Sequence, residues 1–450
     1  MSEKEKGASM SVRDSNGSDG KPELRYQGAA RQGMQELFDD WYEEMGHAKE
    51  RGRYVVYNWI AGNLRELFLA FDMLNVYPEI NSLQSGVKKQ SLKYIIAAEE
   101  YGYSPDVCAY VKADVGLILA GMKHPRGKIP PPDLIFNNSF CNTFIKWSET
   151  LQRFHGAALA TVDMPGRPKM IDYKPGDEEY DNQKRYVLRQ LQEVIAVCER
   201  ITGRKFDPDK LAEVEAESNK AADLYTKIIA INSHVPAPFE AMLDGLNILG
   251  VMNAMRGTEK CTSYMDAVLR EMEERVEFGL GCGIEEKFRL ILDGTPCWPY
   301  MRKFAEIFHV KGAIIIYASY LSATSGGWDG GFRFDTSRPL DSLADFALLA
   351  NTPQAAATTL LHRLEPMREW AVRFQAEGVV FHSVKSCRLY SGGMADYREW
   401  LQSDGIPALM IESDIVDPRY FSEAQVKNRV EAFLESLEQK KFFSPAAPAR

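Results

Sequence analysis

The strongest constraint in this sequence is a rhythm. Short apolar runs alternate with helix-length amphipathic segments, in two blocks separated by a long helical stretch. In the first block, Tyr54–Trp59 (YVVYNW) reads as a strand. A helix should follow it, with Asn63 and Glu66 at the N-cap and N3 positions and Leu64, Leu67 and Phe68 on its apolar face. Further helices are expected over Lys88–Glu100, Asp106–Leu119 and Phe144–Phe154, with strands over Asp133–Asn137 and Ala157–Val162. Met34, Leu37, Phe38, Trp41 and Met45 recur at helical spacing ahead of this block. From Glu178 to Phe278 four long helical segments follow with little strand signal. Strands then return at Phe288–Leu292, Ala313–Ala318, Val379–His382 and Ala408–Ile411. Helices are expected between them at Met301–Phe308, Leu340–Ala350, Pro353–Glu377 and Met394–Ser403. A last helix should start behind a Ser422/Gln425 capping box.

Strands alternating with helices build parallel sheets covered on both faces. The expected fold is therefore α/β, with two Rossmann- or flavodoxin-like parallel-sheet domains. These should span residues 25–177 (with the N-terminal helix) and 285–442, joined by a helical section over 178–284. Residues 1–24 are too polar to bury a core, and 443–450 should fray.

Charge and composition narrow the partners. Net charge is −9 and no Lys/Arg run stands out, which argues against nucleic acid and against a polybasic membrane patch. No apolar run approaches a membrane span, and the N-terminus lacks the apolar core of a secretory signal. A cytoplasmic protein is expected. There is no phosphate loop, nucleophile elbow, H-E-x-x-H or C-x-x-C. The Gly279–Gly283 stretch (GLGCG) follows a helix, the wrong context for a dinucleotide site, and Ser325–Gly331 (SGGWDGG) reads as a loop.

The seven cysteines are odd in number and scattered, which points to thiols in a reducing compartment. Cys198 and Cys261 sit inside helical segments and read as packed thiols. Cys108 should fall in the first turn of a helix capped by Ser104, where a thiolate is favoured. Cys141, Cys297 and Cys387 each follow a strand, where open parallel sheets place their ligands. Three or four thiolates could converge on a soft metal centre, an iron–sulfur cluster being the form expected; unrelated free thiols fit the spacing as well. His382 lies at a strand end, where a hydrogen bond to backbone explains it more simply than proton transfer. Glu412, Asp414 and Asp417 suit either acid–base work or turn capping.

The segments around Cys108 (PDVCAYVKAD), Cys141 (NNSFCNTFIKW) and Cys387 (SVKSC), with ESDIVDPRYFSEAQVKNRVEAF near the C-terminus, resemble the benzoyl-CoA reductase/2-hydroxyacyl-CoA dehydratase family. The likeness runs from about Asn63 to Lys441 and is strongest to the larger catalytic subunit of the ATP-dependent reductases. It implies a [4Fe–4S] cluster held by Cys108, Cys141 and Cys387, with the fourth iron position left to a non-protein ligand or to substrate. It also implies two-electron dearomatisation of benzoyl-CoA, or a substituted benzoyl-CoA, to a cyclic dienoyl-CoA during anaerobic degradation of aromatic compounds. The partners implied are a smaller cluster-bearing subunit, two ATPase subunits and ferredoxin. The same scaffold serves 2-hydroxyacyl-CoA dehydratases, and an electron-relay or scaffold role is a third reading. Cys297, Cys282, Cys198 and Cys261 lie outside the family pattern, and the resemblance assigns no residue a catalytic proton.

Overall fold

The computed structural model describes residues 28–165, 175–323, 331–351 and 361–443. The expected tails, most of the SGGWDGG loop and the first turns of the Pro353–Glu377 helix lie outside the described residues. Two four-stranded parallel sheets form the frame. The first is built from β1 (Val55–Tyr57), β2 (Leu74–Val76), β5 (Leu134–Asn138) and β6 (Ala158–Val162), in the order β2-β1-β5-β6. A small antiparallel hairpin, β3 (Lys123–His124) and β4 (Gly127–Lys128), stands beside it. The second sheet has the order β10-β9-β7-β8, with β7 (Phe288–Asp293), β8 (Ala313–Ala318), β9 (Gly378–Val384) and β10 (Ala408–Ser413). All pairings within these two sheets are parallel, and β7 and β8 are buried along their whole length, as strands with helices on both faces must be. Helices Glu178–Thr202, Pro208–Ile231, Leu246–Met255 and Glu259–Glu277 fill the stretch between the sheets. Among the described residues no helix is long and apolar enough to cross a membrane.

Local chemistry departs from expectation in three places. Asn63 and Glu66 do not form a capping box: the helix starts at Arg65 with Leu64 as its uncapped N-cap. Their side chains instead hold Arg256, whose Nε and Nη2 donate to Glu66 and whose Nη2 also reaches Asn63 Oδ1 at 2.8 Å. Ser104 is not the N-cap of the next helix; Cys108 is, and the helix runs Ala109–Leu119. Between helix Arg65–Ala70 and Lys88, where the sequence pattern predicts no element, lie β2 and a helix over Pro78–Val87 with proline in its first turn.

The Glu66–Arg256 pair is fully buried and ties helix Arg65–Ala70 to the end of helix Leu246–Met255, while Ser218 on helix Pro208–Ile231 donates to Glu66 at 2.7 Å. Removing one partner strands a buried charge. Arg256→Met is expected to cost about 3–5 kcal/mol, and adding Glu66→Gln should recover much of that loss. Denaturant midpoints of both variants check this.

Glu215 sits close by with neither carboxyl oxygen hydrogen-bonded among the described residues. Burial first, then the Glu66 and Asp335 charges, push its pKa up to about 9. The folded chain therefore holds a proton there that the unfolded chain releases above the usual carboxylate range. Stability from this group is complete at acid pH and declines as pH rises through about 9. Glu215→Gln should stabilise the protein, with a larger gain at pH 8.5 than at pH 6, as equilibrium unfolding at the two pH values will show.

Candidate metal centre and its adjoining cavity

The carboxyl ends of the strands carry the site. After β1 the chain turns through Ile60 and Gly62, and Asn138 at the end of β5 donates to the carbonyls of Ala61 and Gly62 at 3.2 Å. A Cβ on Gly62 would lie 3.0 Å from the Asn138 carboxamide, and its φ of +72° suits glycine, so the turn can close down on β5. Cys141 follows β5 and is the N-cap of helix Asn142–His155. Cys387 follows β9 and is the N-cap of the short helix Arg388–Ser391. The two sheets meet here. Ala109 N–H, next to Cys108, donates to Ser386 Oγ next to Cys387 at 3.1 Å, and Lys385 pairs with Asp106 at 3.1 Å.

All three thiols thus stand at helix starts, with N–H groups turned toward sulfur. Burial pushes the Cys108 thiol pKa well up, the Cys387 and Cys141 sulfurs add to that, and the N–H groups of Tyr110 and Val111 oppose it. Burial likewise raises Cys141, opposed by the N–H and hydroxyl of Thr143 and the N–H of Phe144. Cys387 is raised to about 11 by burial, opposed by the N–H groups of Tyr390 and Leu389, with the Cys141 sulfur pushing further up. The Cys141 and Cys387 sulfurs both act on Cys108, and Cys141 acts on Cys387, so the three thiols, from distant parts of the chain, lie within electrostatic reach of one another. They do not crowd into the shell of one ion: among the described residues no group of three or more His, Cys, Asp or Glu has that spacing. The donor set is nonetheless all sulfur, cradled by N–H groups, the chemistry that suits a soft, extended iron–sulfur centre rather than a hard cation.

The other cysteines do not join. Cys198, Cys261, Cys282 and Cys297 are buried, and burial raises each thiol to about 12. Cys297, well placed by its position after β7, interacts with Ser413 rather than with the three sulfurs. His382 is buried between the Thr295 carbonyl and Ser413 Oγ, and burial lowers its pKa to about 4. It is a neutral structural link between strand ends. Asp414 accepts the Ser386 N–H at 3.0 Å and Asp417 accepts that of Arg419 at 3.1 Å, so these carboxylates shape the turns after β9 and β10. Arg419, in the DPRYF segment, also binds Glu99, which pairs with the buried Lys112 one turn past Cys108. That lattice of charges holds the Cys108 helix against the C-terminal sheet.

A cavity of about 590 Å³ is lined in part by Tyr110, two residues from Cys108, while none of the cysteines lines it. Its lining includes Glu79 and Tyr320, both half-buried, and the buried Tyr110 and Trp298. Glu79 stands in the first turn after β2 and accepts N–H bonds from Ile60 and Ala61. Burial nonetheless raises its pKa to about 7. Trp298 Nε1 donates to the Tyr110 hydroxyl at 2.6 Å, and the Tyr320 and Tyr390 rings are 5.9 Å apart. The Tyr110 and Tyr320 phenols are pushed well up by burial first, Tyr110 further by the Cys108 sulfur and Tyr320 by that of Cys387. The cavity wall therefore carries neutral O–H groups within electrostatic reach of the Cys108 and Cys387 thiols. The sequence pattern does not single out Glu79. Its one signal is the proline–acid start of a helix after a strand only three residues long.

Comparison with known proteins follows the same lines. A family model described as 2-hydroxyglutaryl-CoA dehydratase, D-component, matches residues 64–437. One of the benzoyl-CoA reductase subunits of Thauera aromatica is 36% identical over 427 residues, covering 92% of this chain and 96% of that protein. The (R)-phenyllactyl-CoA dehydratase alpha subunit of Clostridium sporogenes is 28% identical over 398 residues, covering 88% and 92%. The (R)-2-hydroxyisocaproyl-CoA dehydratase alpha subunit of Clostridioides difficile is 28% identical over 423 residues, covering 92% and 97%.

Proposed function

Since the chain belongs to the family described as 2-hydroxyglutaryl-CoA dehydratase, D-component, we propose that it is the aryl-CoA-binding, cluster-bearing subunit of an ATP-dependent reductase that dearomatises benzoyl-CoA or a substituted benzoyl-CoA. The higher identity to a reductase subunit (36%) than to dehydratase subunits (28%) supports reduction over dehydration. One observation carries the reading. The cavity wall, Glu79 with Tyr110 and Tyr320, is within electrostatic reach of the cysteines, so a substrate in the cavity would meet both a proton source and the centre.

Cys108, Cys141 and Cys387 would hold a [4Fe–4S] cluster, which when bound supplies electron transfer at low potential. Reduction adds two electrons and two protons to the aromatic ring, leaving a cyclic diene with the thioester intact. Ferredoxin is the electron source, through two ATPase subunits, and a smaller cluster-bearing subunit completes the complex. Glu79, with a pKa of about 7, populates a protonated carboxyl at neutral pH, and Tyr110 keeps its phenol neutral against the indole of Trp298. The aromatic walls exclude water and orient the ring. The test is turnover by the anaerobically purified complex, with ATP and reduced ferredoxin, offered benzoyl-CoA or a 2-hydroxyacyl-CoA. Ring reduction is expected. Dehydration of the hydroxyacyl ester with no ring reduction would overturn the proposal in favour of a lyase.

A further inference from the structure

The residues that line the cavity differ in kind: Tyr110 and Trp298 are buried, whereas Lys88 and Arg302 are exposed. Arg31 and Arg126 also line the cavity. Arg126 is committed, its guanidinium 5.1 Å from the Tyr42 ring centroid and bonded to Asp39 at 2.6 Å. Among the described residues, the side chains of Lys88 and Arg302 have no hydrogen bond or ion pair. Lys88 ends helix Pro78–Val87, whose first turn carries Glu79, and Arg302 follows Trp298 in helix Met301–His309. One helix thus links the Glu79 carboxyl to one exposed cation, and one short segment links the Trp298 indole to another.

Lys88 and Arg302 are exposed cations without a partner among the described residues, on a lining that also carries the carboxylates Glu79, Asp244 and Glu306 and is otherwise largely apolar. They suit a ligand with an anionic head outside and an apolar or aromatic tail inside. Resting on the aryl-CoA reading above, we infer that Lys88 and Arg302 form the subsite for the phosphates of the coenzyme A nucleotide. The pantetheine arm then runs past the apolar walls of Met34, Leu83 and Leu246, and the aryl thioester reaches Glu79. The cations position the ester and take no part in chemistry at the ring.

Two esters that differ only in the nucleotide separate this role from a structural one. The holocomplex carrying Lys88→Glu and Arg302→Glu is assayed with benzoyl-CoA and with S-benzoylpantetheine. KM for benzoyl-CoA should rise about ten- to a hundredfold with kcat nearly unchanged, and KM for the pantetheine ester should not move. The glutamine pair should show a smaller rise in the same direction. An unchanged KM for benzoyl-CoA, or an equal rise for both esters, overturns the phosphate assignment and leaves the aryl-CoA reading standing. A wild-type complex that turns over neither ester overturns that reading, and the subsite with it.

Discussion

Glu79→Gln should lower turnover of benzoyl-CoA by about a hundred- to ten-thousandfold, the usual range for loss of a positioned proton donor. Glutamine is a demanding substitution here because it keeps the packing. Its carboxamide oxygen can still accept the Ile60 and Ala61 N–H bonds that fix the native side chain. What it cannot do is carry an acidic proton. Burial holds the native carboxyl near a pKa of 7, so acid and base forms are both populated at neutral pH. A merely structural Glu79 would tolerate the change. Iron content and thermal stability of the variant should match the wild type; turnover within a few-fold of normal would remove Glu79 from the chemistry.

The second large effect concerns the thiols. Cys387→Ala should abolish activity and Cys297→Ala should leave it nearly intact, although both residues follow strands of the same sheet. The difference lies in what surrounds each sulfur. Cys387 lies within electrostatic reach of the Cys141 and Cys108 sulfurs, with the Leu389 and Tyr390 N–H groups directed at it. Cys297 is buried beside Ser413, at the edge of the His382 link. Cys108→Ala and Cys141→Ala should behave as Cys387→Ala does, because a three-thiolate site has no spare ligand. An active Cys387→Ala complex would refute the assignment.

How far the sequence discloses this arrangement depends on length and locality. AIIIYA at Ala313–Ala318 is readable to the residue because it is apolar throughout and begins after Gly312, whose φ is +73°. β2 is invisible: three residues, with Asn75 in the middle, leave no periodicity to detect. The helix that follows it buries Asn81, Ser82, Gln84 and Ser85, so its inward face does not look apolar. Glu66 fits a capping box by spacing, yet tertiary pairing with Arg256, far along the chain, wins. The three cysteines can be placed at ends of elements, but their convergence depends on two sheets meeting, and only the family resemblance singles them out. Glu79 is beyond reach for the same reason. Its chemistry comes from Trp298 and Tyr320, far along the chain, closing a cavity over it.

The most direct test of the central claim is the iron content of the anaerobically purified complex, read with its electron paramagnetic resonance after reduction, for wild type against Cys387→Ala. The account requires the variant to lose about four iron atoms per copy of this chain, with the matching part of the reduced-cluster signal. Equal iron and an unchanged signal in the two preparations would contradict it.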